Sequence, residues 1–205
     1  MPLEAATLVR QIGQLHADTV SRWHAQPLDN PYTGLLTVVC TQHQFNFRLW
    51  HEEDTARRRD VSDAQIAQVK RNIDGYNQQR NDWIERTDET LLEVFGSLGV
   101  EAPADAPLNT ETPGSAIDRL SIMALRVYHL REELGRSDAD DEHLAKVNEK
   151  LARCAVQQAD LTQSLQELLA DLFAGRKRLR VYRQMKLYND PAFNPELYRS
   201  SRRAG

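Results

Sequence analysis

Histidine and carboxylate side chains recur three or four residues apart in three segments with helical periodicity. The groups are His51 with Asp54, Glu85 with Asp88, and His129 with Glu132 and Glu133. Residues three or four apart share one face of a helix. We expect the first two pairs to be metal ligands, because carboxylates facing one another favour Mg²⁺ or Mn²⁺, and carboxylates with histidine favour iron. The alternative is that these pairs lie on solvated helix faces.

Polar side chains interrupt the apolar stripe of the longest predicted helix. Asn77, Arg80 and Asn81 lie at or beside core spacing between Ile73 and Trp83. Burying such groups without a partner costs about 1 to 3 kcal/mol each. We expect them to line a polar ligand-binding pocket midway along the chain's helical bundle. The alternative is a hydrogen-bond network that fixes the register of the helices.

A basic segment follows the last apolar stripe. Residues 176–186 carry six cations and no acid, although the whole chain has a net charge of -4. We predict a sixth helix here, with Arg183 and Lys186 binding phosphate. The alternatives are that these cations neutralise the acidic bundle, or that they dock an acidic protein partner or a second copy of the chain.

The remaining pattern predicts helices throughout. Apolar residues at alternating steps of three and four mark helices from Pro2, over residues 34–58, from Ser62 to Gly99, from Thr112 to Gly135 and over residues 139–175, the last with a bundle or coiled-coil seam. The predicted fold is an all-α bundle of about six helices built on two long antiparallel helices. We expect one domain, residues 1–198, and a frayed tail, residues 199–205.

Composition excludes several classes of protein. A pI near 5.9 argues against nonspecific nucleic-acid binding, which needs a basic surface. No apolar stretch is long enough for a membrane span, and the N-terminus lacks the apolar core of a signal peptide, so we expect a cytoplasmic protein. Cys40 and Cys154 stand alone and are predicted to be buried thiols.

Four longer strings resemble a known family. They are residues 43–54 (HQFNFRLWHEED), 77–85 (NQQRNDWIE), 114–122 (GSAIDRLSI) and 182–191 (YRQMKLYNDP). Together they resemble an uncharacterised bacterial family of unknown function, whose members often lie near genes for surface-polysaccharide glycosyltransferases. The resemblance implies a mainly helical protein with a link to envelope glycan assembly, and it transfers no catalytic residue.

Two functional hypotheses follow. We favour a bundle whose polar pocket, with help from a metal, binds a phosphorylated small molecule such as a nucleotide or nucleotide sugar. The alternative is a noncatalytic adaptor that docks a protein partner through its basic C-terminal segment. The sequence has no Gly-rich phosphate loop and no nucleophile motif.

Overall fold

The computed structural model describes residues 4–196, which form five α-helices and one short 3₁₀ turn, Leu187–Asn189. The helices are α1 (Ala5–Ala25), α2 (Leu35–Ala56), α3 (Asp63–Ser97), α4 (Pro113–Leu134) and α5 (Asp141–Phe173). The prediction of an all-α bundle is confirmed, and the two longest helices are those that the sequence indicates. The predicted tail, residues 199–205, lies outside the described residues.

Side-chain caps begin three of the helices. The Ser62 hydroxyl accepts a hydrogen bond from the Gln65 backbone, and the Gln65 side chain accepts one from the Ser62 backbone, which is a capping box at the start of α3. Thr112 caps α4 directly before Pro113, and Asp140 caps α5. Each cap satisfies backbone N–H groups that the first turn leaves without partners.

Three helices, α1, α2 and α4, run in the same direction. Gln42 of α2 bonds to Asp118 of α4, and further along both helices Trp50 stacks on His129. On α1, His16 lies beside His43 and His24 lies beside His51. Residue numbers therefore increase in the same direction along all three helices. Their C-terminal halves lie together at one end of the bundle.

Residues 26–34 make the parallel arrangement of α1 and α2 possible. The Trp23 indole donates to the Asp29 carboxylate at 2.9 Å, and the Gln44 side chain donates to the Asp29 carbonyl at 3.1 Å. The Asn30 side chain donates to the carbonyl of Thr37 at 2.9 Å. The connection thus runs back along α2 from the end of α1 to the beginning of α2.

The two long helices run in the same direction as each other and opposite to the other three. α3 packs mainly along α2, and α5 packs mainly along α4 and α1. The C-terminal ends of α3 and α5 meet where the Phe95 and Phe173 rings lie 5.0 Å apart. The expected side-by-side antiparallel pairing is not formed, because each long helix packs on the helix that precedes it in the chain.

The predicted sixth helix is absent, because residues 176–186 form an extended segment along the bundle. The Arg178 backbone donates to the Pro107 carbonyl at 2.9 Å, and its side chain donates to the Ala106 carbonyl at 2.7 Å. Arg183 bonds to Glu85 and Glu89 of α3. These bonds give the backbone and the cationic side chains of the segment partners elsewhere in the bundle. In a helix, the same backbone groups would bond to one another and the side chains would face solvent.

The core lies where all five helices meet. Its largest fully buried apolar side chains are Leu8, Ile12, Leu15, Leu91, Ile117, Leu125, Leu165 and Leu169, and α2 adds the fully buried Val39 and Cys40. Both cysteines are free and buried, as predicted. Among the helices of residues 4–196, none is both long enough and apolar enough to cross a bilayer.

Candidate metal centre

Three histidines from the three parallel helices converge at the end where these helices finish. His24 lies in the last turn of α1, His51 in the C-terminal part of α2 and His129 in the C-terminal part of α4. All three side chains are half-buried, and their ligand nitrogens lie within 4.8 Å of one another. Within residues 4–196, no other group of three potential ligand residues is this close together.

The three imidazole rings lie edge to face around a common point. The ring centroids are 5.2 Å apart for His24 and His51, 5.0 Å for His24 and His129, and 5.8 Å for His51 and His129. The interplanar angles lie between 70° and 80°. Rings that cross at steep angles can direct one nitrogen each towards a shared ion.

Two of the histidines are oriented by hydrogen bonds from Nδ1. His24 Nδ1 donates to the Val20 carbonyl at 2.7 Å, and His129 Nδ1 donates to the Glu132 carboxylate at 2.7 Å. These acceptors place the proton of the neutral ring on Nδ1 and leave a lone pair on Nε2. Both Nε2 atoms are buried and have no hydrogen-bond partner among the described residues. This arrangement is typical of metal-bound histidine, whose second nitrogen bonds to a carbonyl or carboxylate.

Aromatic side chains surround the cluster. Tyr128 stacks on His24 with centroids 4.1 Å apart, Trp50 stacks on His129 at 4.7 Å, and the Phe47 ring lies 4.5 Å from His51. Burial lowers the pKa of His51, and the neighbouring His24 and His129 lower it further. A neutral imidazole is the form that binds a metal ion.

The donor set fits a transition metal with little movement. Nitrogens bound to one tetrahedral zinc lie about 3.3 Å apart, so these atoms must approach by at most about 1.5 Å from their separation of up to 4.8 Å. Imidazole nitrogen suits zinc, iron, nickel and copper, whereas Mg²⁺ and Mn²⁺ prefer oxygen. The cluster therefore does not fit the Mg²⁺ or Mn²⁺ that the sequence suggested for facing carboxylates, whereas iron, which the sequence suggested for a site with histidine, is among the metals that suit it.

The structure does not bring the four sequence-predicted metal ligands together. Asp54 is exposed and lines a different cleft from the histidine cluster. Glu85 accepts hydrogen bonds from Arg183 and from the Gln184 backbone. Asp88 is buried near the start of α4 and accepts a hydrogen bond from the Gly114 backbone at 2.7 Å. Of the four, His51 alone belongs to the histidine cluster.

Two of the predicted ligand-binding residues share a cleft. Asn77 and Arg80 line a volume of about 330 Å³ beside Trp50, with the acids Glu53 and Asp54. The Arg80 guanidinium, however, binds the Asp118 carboxylate through two nitrogens. Its charge is therefore compensated within the bundle.

The other three predicted ligand-binding residues lie elsewhere. Asn81 is half-buried on α3, and its side chain has no hydrogen bond to another described residue. Arg183 is held by Glu85 and Glu89, and Lys186 lies three residues further along the extended segment. The structure thus divides the predicted ligand-binding set between two regions of the bundle.

A buried polar network occupies the middle of the bundle. Asp118 accepts hydrogen bonds from Gln42 at 2.5 Å and Asn46 at 2.9 Å in addition to Arg80. Ser121 lies 2.6 Å from Nδ1 of His43 and accepts from Asn46 at 2.8 Å. These bonds join α2, α3 and α4. Of Asn77, Arg80 and Asn81, for which the sequence offered a register-fixing network as the alternative to a pocket, Arg80 alone takes part in these bonds.

Two residues of the histidine cluster were not among the predicted ligands. His129 was named with Glu132 and Glu133 in the third candidate group but was not one of the four expected ligands, and His24 was not identified at all. The available signal is that His24, His51 and His129 each lie within about two turns of the end of a predicted helix. That signal becomes useful only when the three helices are known to be parallel.

Comparisons with known proteins give a family and no function. The family model described as Protein of unknown function (DUF4254) matches residues 36–181, which is well over half of the chain. This match confirms the resemblance to a family of unknown function. No curated protein and no solved structure matches the chain.

Proposed function

The chain belongs to the DUF4254 family, and we propose that it binds one divalent transition-metal ion of the zinc class through His24, His51 and His129. The observation that carries the proposal is the pair of buried Nε2 atoms, on His24 and His129, that have no partner within residues 4–196. A buried polar atom without a partner costs about 1 to 3 kcal/mol, and a bound cation removes that cost.

Three protein ligands are the number found in catalytic zinc sites, which keep a fourth position for water or substrate. A bound zinc-class ion supplies Lewis acidity and lowers the pKa of its water towards neutrality. The chain's own contribution is to orient the imidazoles through Val20 and Glu132 and to surround them with Phe47, Trp50 and Tyr128.

The test is a titration of untagged, metal-free protein with Zn²⁺ and with Co²⁺. We expect one ion per chain, and cobalt should give the visible absorption of a four-coordinate complex. At a hundred times its dissociation constant, an ion that binds only the folded state adds about 2.7 kcal/mol of stability, which raises melting by about 5 to 10 °C in a chain of this size.

Single substitutions assign the ligands. His24→Ala, His51→Ala and His129→Ala should each abolish the one-to-one complex. The matched control is His143→Ala, because His143 is also a half-buried histidine but bonds to Glu133 outside the cluster. Unchanged binding in the three cluster variants, or no one-to-one binding by the unsubstituted chain, contradicts the proposal.

A noncatalytic adaptor is the second candidate, favoured by apolar side chains near the C-terminus. Met185, Leu187, Tyr188 and Phe193 are exposed, with Met185 at 80%. The cations that first suggested docking are mostly held within the chain, since Arg176 and Lys177 bind Asp171 and Arg183 binds α3. We therefore expect the partner to present an apolar protein surface. The double substitution Tyr188→Ser with Phe193→Ser should abolish binding of that partner.

The link to a nucleotide sugar and to envelope glycan assembly, which the sequence suggested, stays a prediction. Adding a nucleotide-sugar panel to the melting experiment tests it, with and without zinc. A stabilisation that needs both components would support a metal-assisted site.

A further inference from the structure

A cleft between α4 and α5 carries a concentration of positive charge. Its volume is about 500 Å³, and its walls include Arg126 on α4 with Lys150 and Arg153 on α5. Pockets of about 300 to 1,000 Å³ are typical of sites for small molecules. Three cations at one cleft are notable in a chain whose net charge is -4.

Two of these cations are not compensated by a nearby acid. Within residues 4–196, neither Arg126 nor Lys150 has a carboxylate within 4.0 Å. Arg153 pairs with Glu149 at 2.7 Å, but both side chains are about two-thirds exposed, so this pair is weak. The acid that lines the cleft, Glu133, is bound by Arg136 and His143. The cleft therefore presents unpaired positive charge to solvent.

The inner wall of the cleft is apolar and aromatic. Trp50 and His129 both line it, and their rings stack with an interplanar angle of 7°. Leu130 and the buried Cys154 complete this wall. A ligand with an anionic group and a flat or apolar remainder would meet complementary chemistry on both sides.

We infer that this cleft binds a phosphorylated small molecule, with its phosphate on Arg126, Lys150 and Arg153 and its remainder against Trp50. Guanidinium and ammonium groups are the usual partners of phosphate oxygens. The cleft beside Asn77 and Arg80 is less suitable, because Asp118 holds the Arg80 charge and two acids line that cleft.

Phosphate binding depends on the cleft alone and does not require a metal ion at the histidine cluster. His129 belongs to both places: its ring lines the cleft, and its nitrogen is one of the three proposed ligands. Only the consequence that a bound phosphate ester lies one side chain away from a metal ion rests on the proposed function.

The test is calorimetric titration of the untagged, metal-free chain at low salt with three probes: inorganic phosphate, uridine monophosphate and uridine. We expect both phosphate probes to bind and uridine not to bind. Arg126→Gln and Lys150→Gln should each weaken binding of uridine monophosphate about ten-fold or more, because each removes a charge-assisted hydrogen bond. Trp50→Leu should weaken the binding of uridine monophosphate and leave the affinity for inorganic phosphate unchanged.

The matched control is Arg131→Gln, which removes an exposed cation of α4 that does not line the cleft. Equal affinities in Arg126→Gln, Lys150→Gln and Arg131→Gln overturn the inference, as does a lack of binding by both phosphate probes at millimolar concentration. His51→Ala separates the two proposals, because it should remove zinc binding and keep the affinity for uridine monophosphate within about two-fold.

Discussion

Arg80 of α3 and Asp118 of α4 form an ion pair that is largely closed to solvent. Nε of Arg80 lies 2.8 Å from the carboxylate, and Nη2 binds the second oxygen. The Asp118 side chain is 6% exposed, whereas that of Arg80 is 26% exposed. With Gln42 and Asn46 of α2 as further donors, Asp118 of α4 is an acceptor that α2 and α3 share.

Removing the Asp118 carboxylate should destabilise the fold strongly. Asp118→Ala leaves the Arg80 guanidinium and the Gln42 amide without their acceptor and removes one of the two acceptors of Asn46, and such a loss costs about 3 to 5 kcal/mol. The measurement is the free energy of unfolding in urea. Glu111→Ala is the control, because it breaks the exposed pair with Arg119 and should cost less than about 1 kcal/mol. Equal losses in the two variants would show that the Asp118 network contributes no more than a surface pair.

Glu132 should tune metal affinity without being a ligand. It accepts the Nδ1 proton of His129 and so fixes the orientation of that ring. Glu132→Ala should weaken zinc binding about 10-fold to 100-fold, which is the usual effect of removing such a partner. Glu142→Ala is a surface control on α5, where Glu142 pairs with Lys146. An unchanged zinc affinity in Glu132→Ala would mean that the hydrogen bond does not support the centre.

His16 should make the fold sensitive to acid. It is fully buried with no partner for either ring nitrogen among the described residues, and burial lowers its pKa to about 3. The unfolded chain, with a pKa near 6.5, binds the proton first, so stability falls as the pH drops below that value. Between pH 7.5 and 4.5 this residue should cost the folded state about 2 to 3 kcal/mol. His16→Leu should remove that loss, and an unchanged pH dependence of unfolding would contradict it.

Asp88 should stabilise the fold as the pH falls, which is the opposite of the effect of His16. Burial raises its pKa to about 6, despite the hydrogen bonds from Thr112 and Gly114. The folded state therefore binds the proton more readily than the unfolded state, and this residue stabilises the fold as the pH falls. Relative to Asp88→Asn, the unsubstituted chain should gain about 2 kcal/mol between pH 7.5 and 4.5. Parallel stability curves for the two proteins would show that the Asp88 carboxyl titrates normally.

Gly114 should not tolerate a side chain. A Cβ added there would lie 2.5 Å from the Ile84 carbonyl oxygen and 2.9 Å from the Asp88 carboxylate. Gly114→Ala should therefore destabilise the fold by about 1 to 3 kcal/mol, since α3 and α4 must separate. Gly75→Ala is the control, because nothing lies within 4 Å of a Cβ at this exposed helical position, and it should stabilise by about 0.5 to 1 kcal/mol. Similar changes in the free energy of unfolding for both variants would show that α3 does not approach the Gly114 backbone this closely.

The helices were predictable because their signals are local. The Ser62 capping box, the Thr112 cap before Pro113 and the periodic apolar stripes are read within a few residues, and each marks a helix that the structure contains. Residues 176–186 were mispredicted because their conformation depends on distant carbonyls and acids, at Ala106, Pro107, Glu85 and Glu89. Local periodicity contains no information about such partners.

The candidate site was predictable only in part. His51 stood out beside Phe47 and Trp50, and it lies in the histidine cluster. Its partners were missed because the sequence contains no local signal for the relative directions of α1, α2 and α4. The hydrogen bonds that hold residues 26–34 along α2 allow α1 and α2 to be parallel, which brings His24 to the same end as His51.

The long-range bonds between α2 and α4 also bear on the order of folding during synthesis. Gln42 and Asp118 are 76 residues apart in the chain, and His43 and Ser121 are 78 apart. Until α4 leaves the ribosome, the polar side chains of α2 lack these acceptors and the cluster lacks His129. Pairings of such high sequence separation form slowly. We therefore expect the first three helices to complete their packing only after the fourth has been made, and the three histidines to come together at that same step.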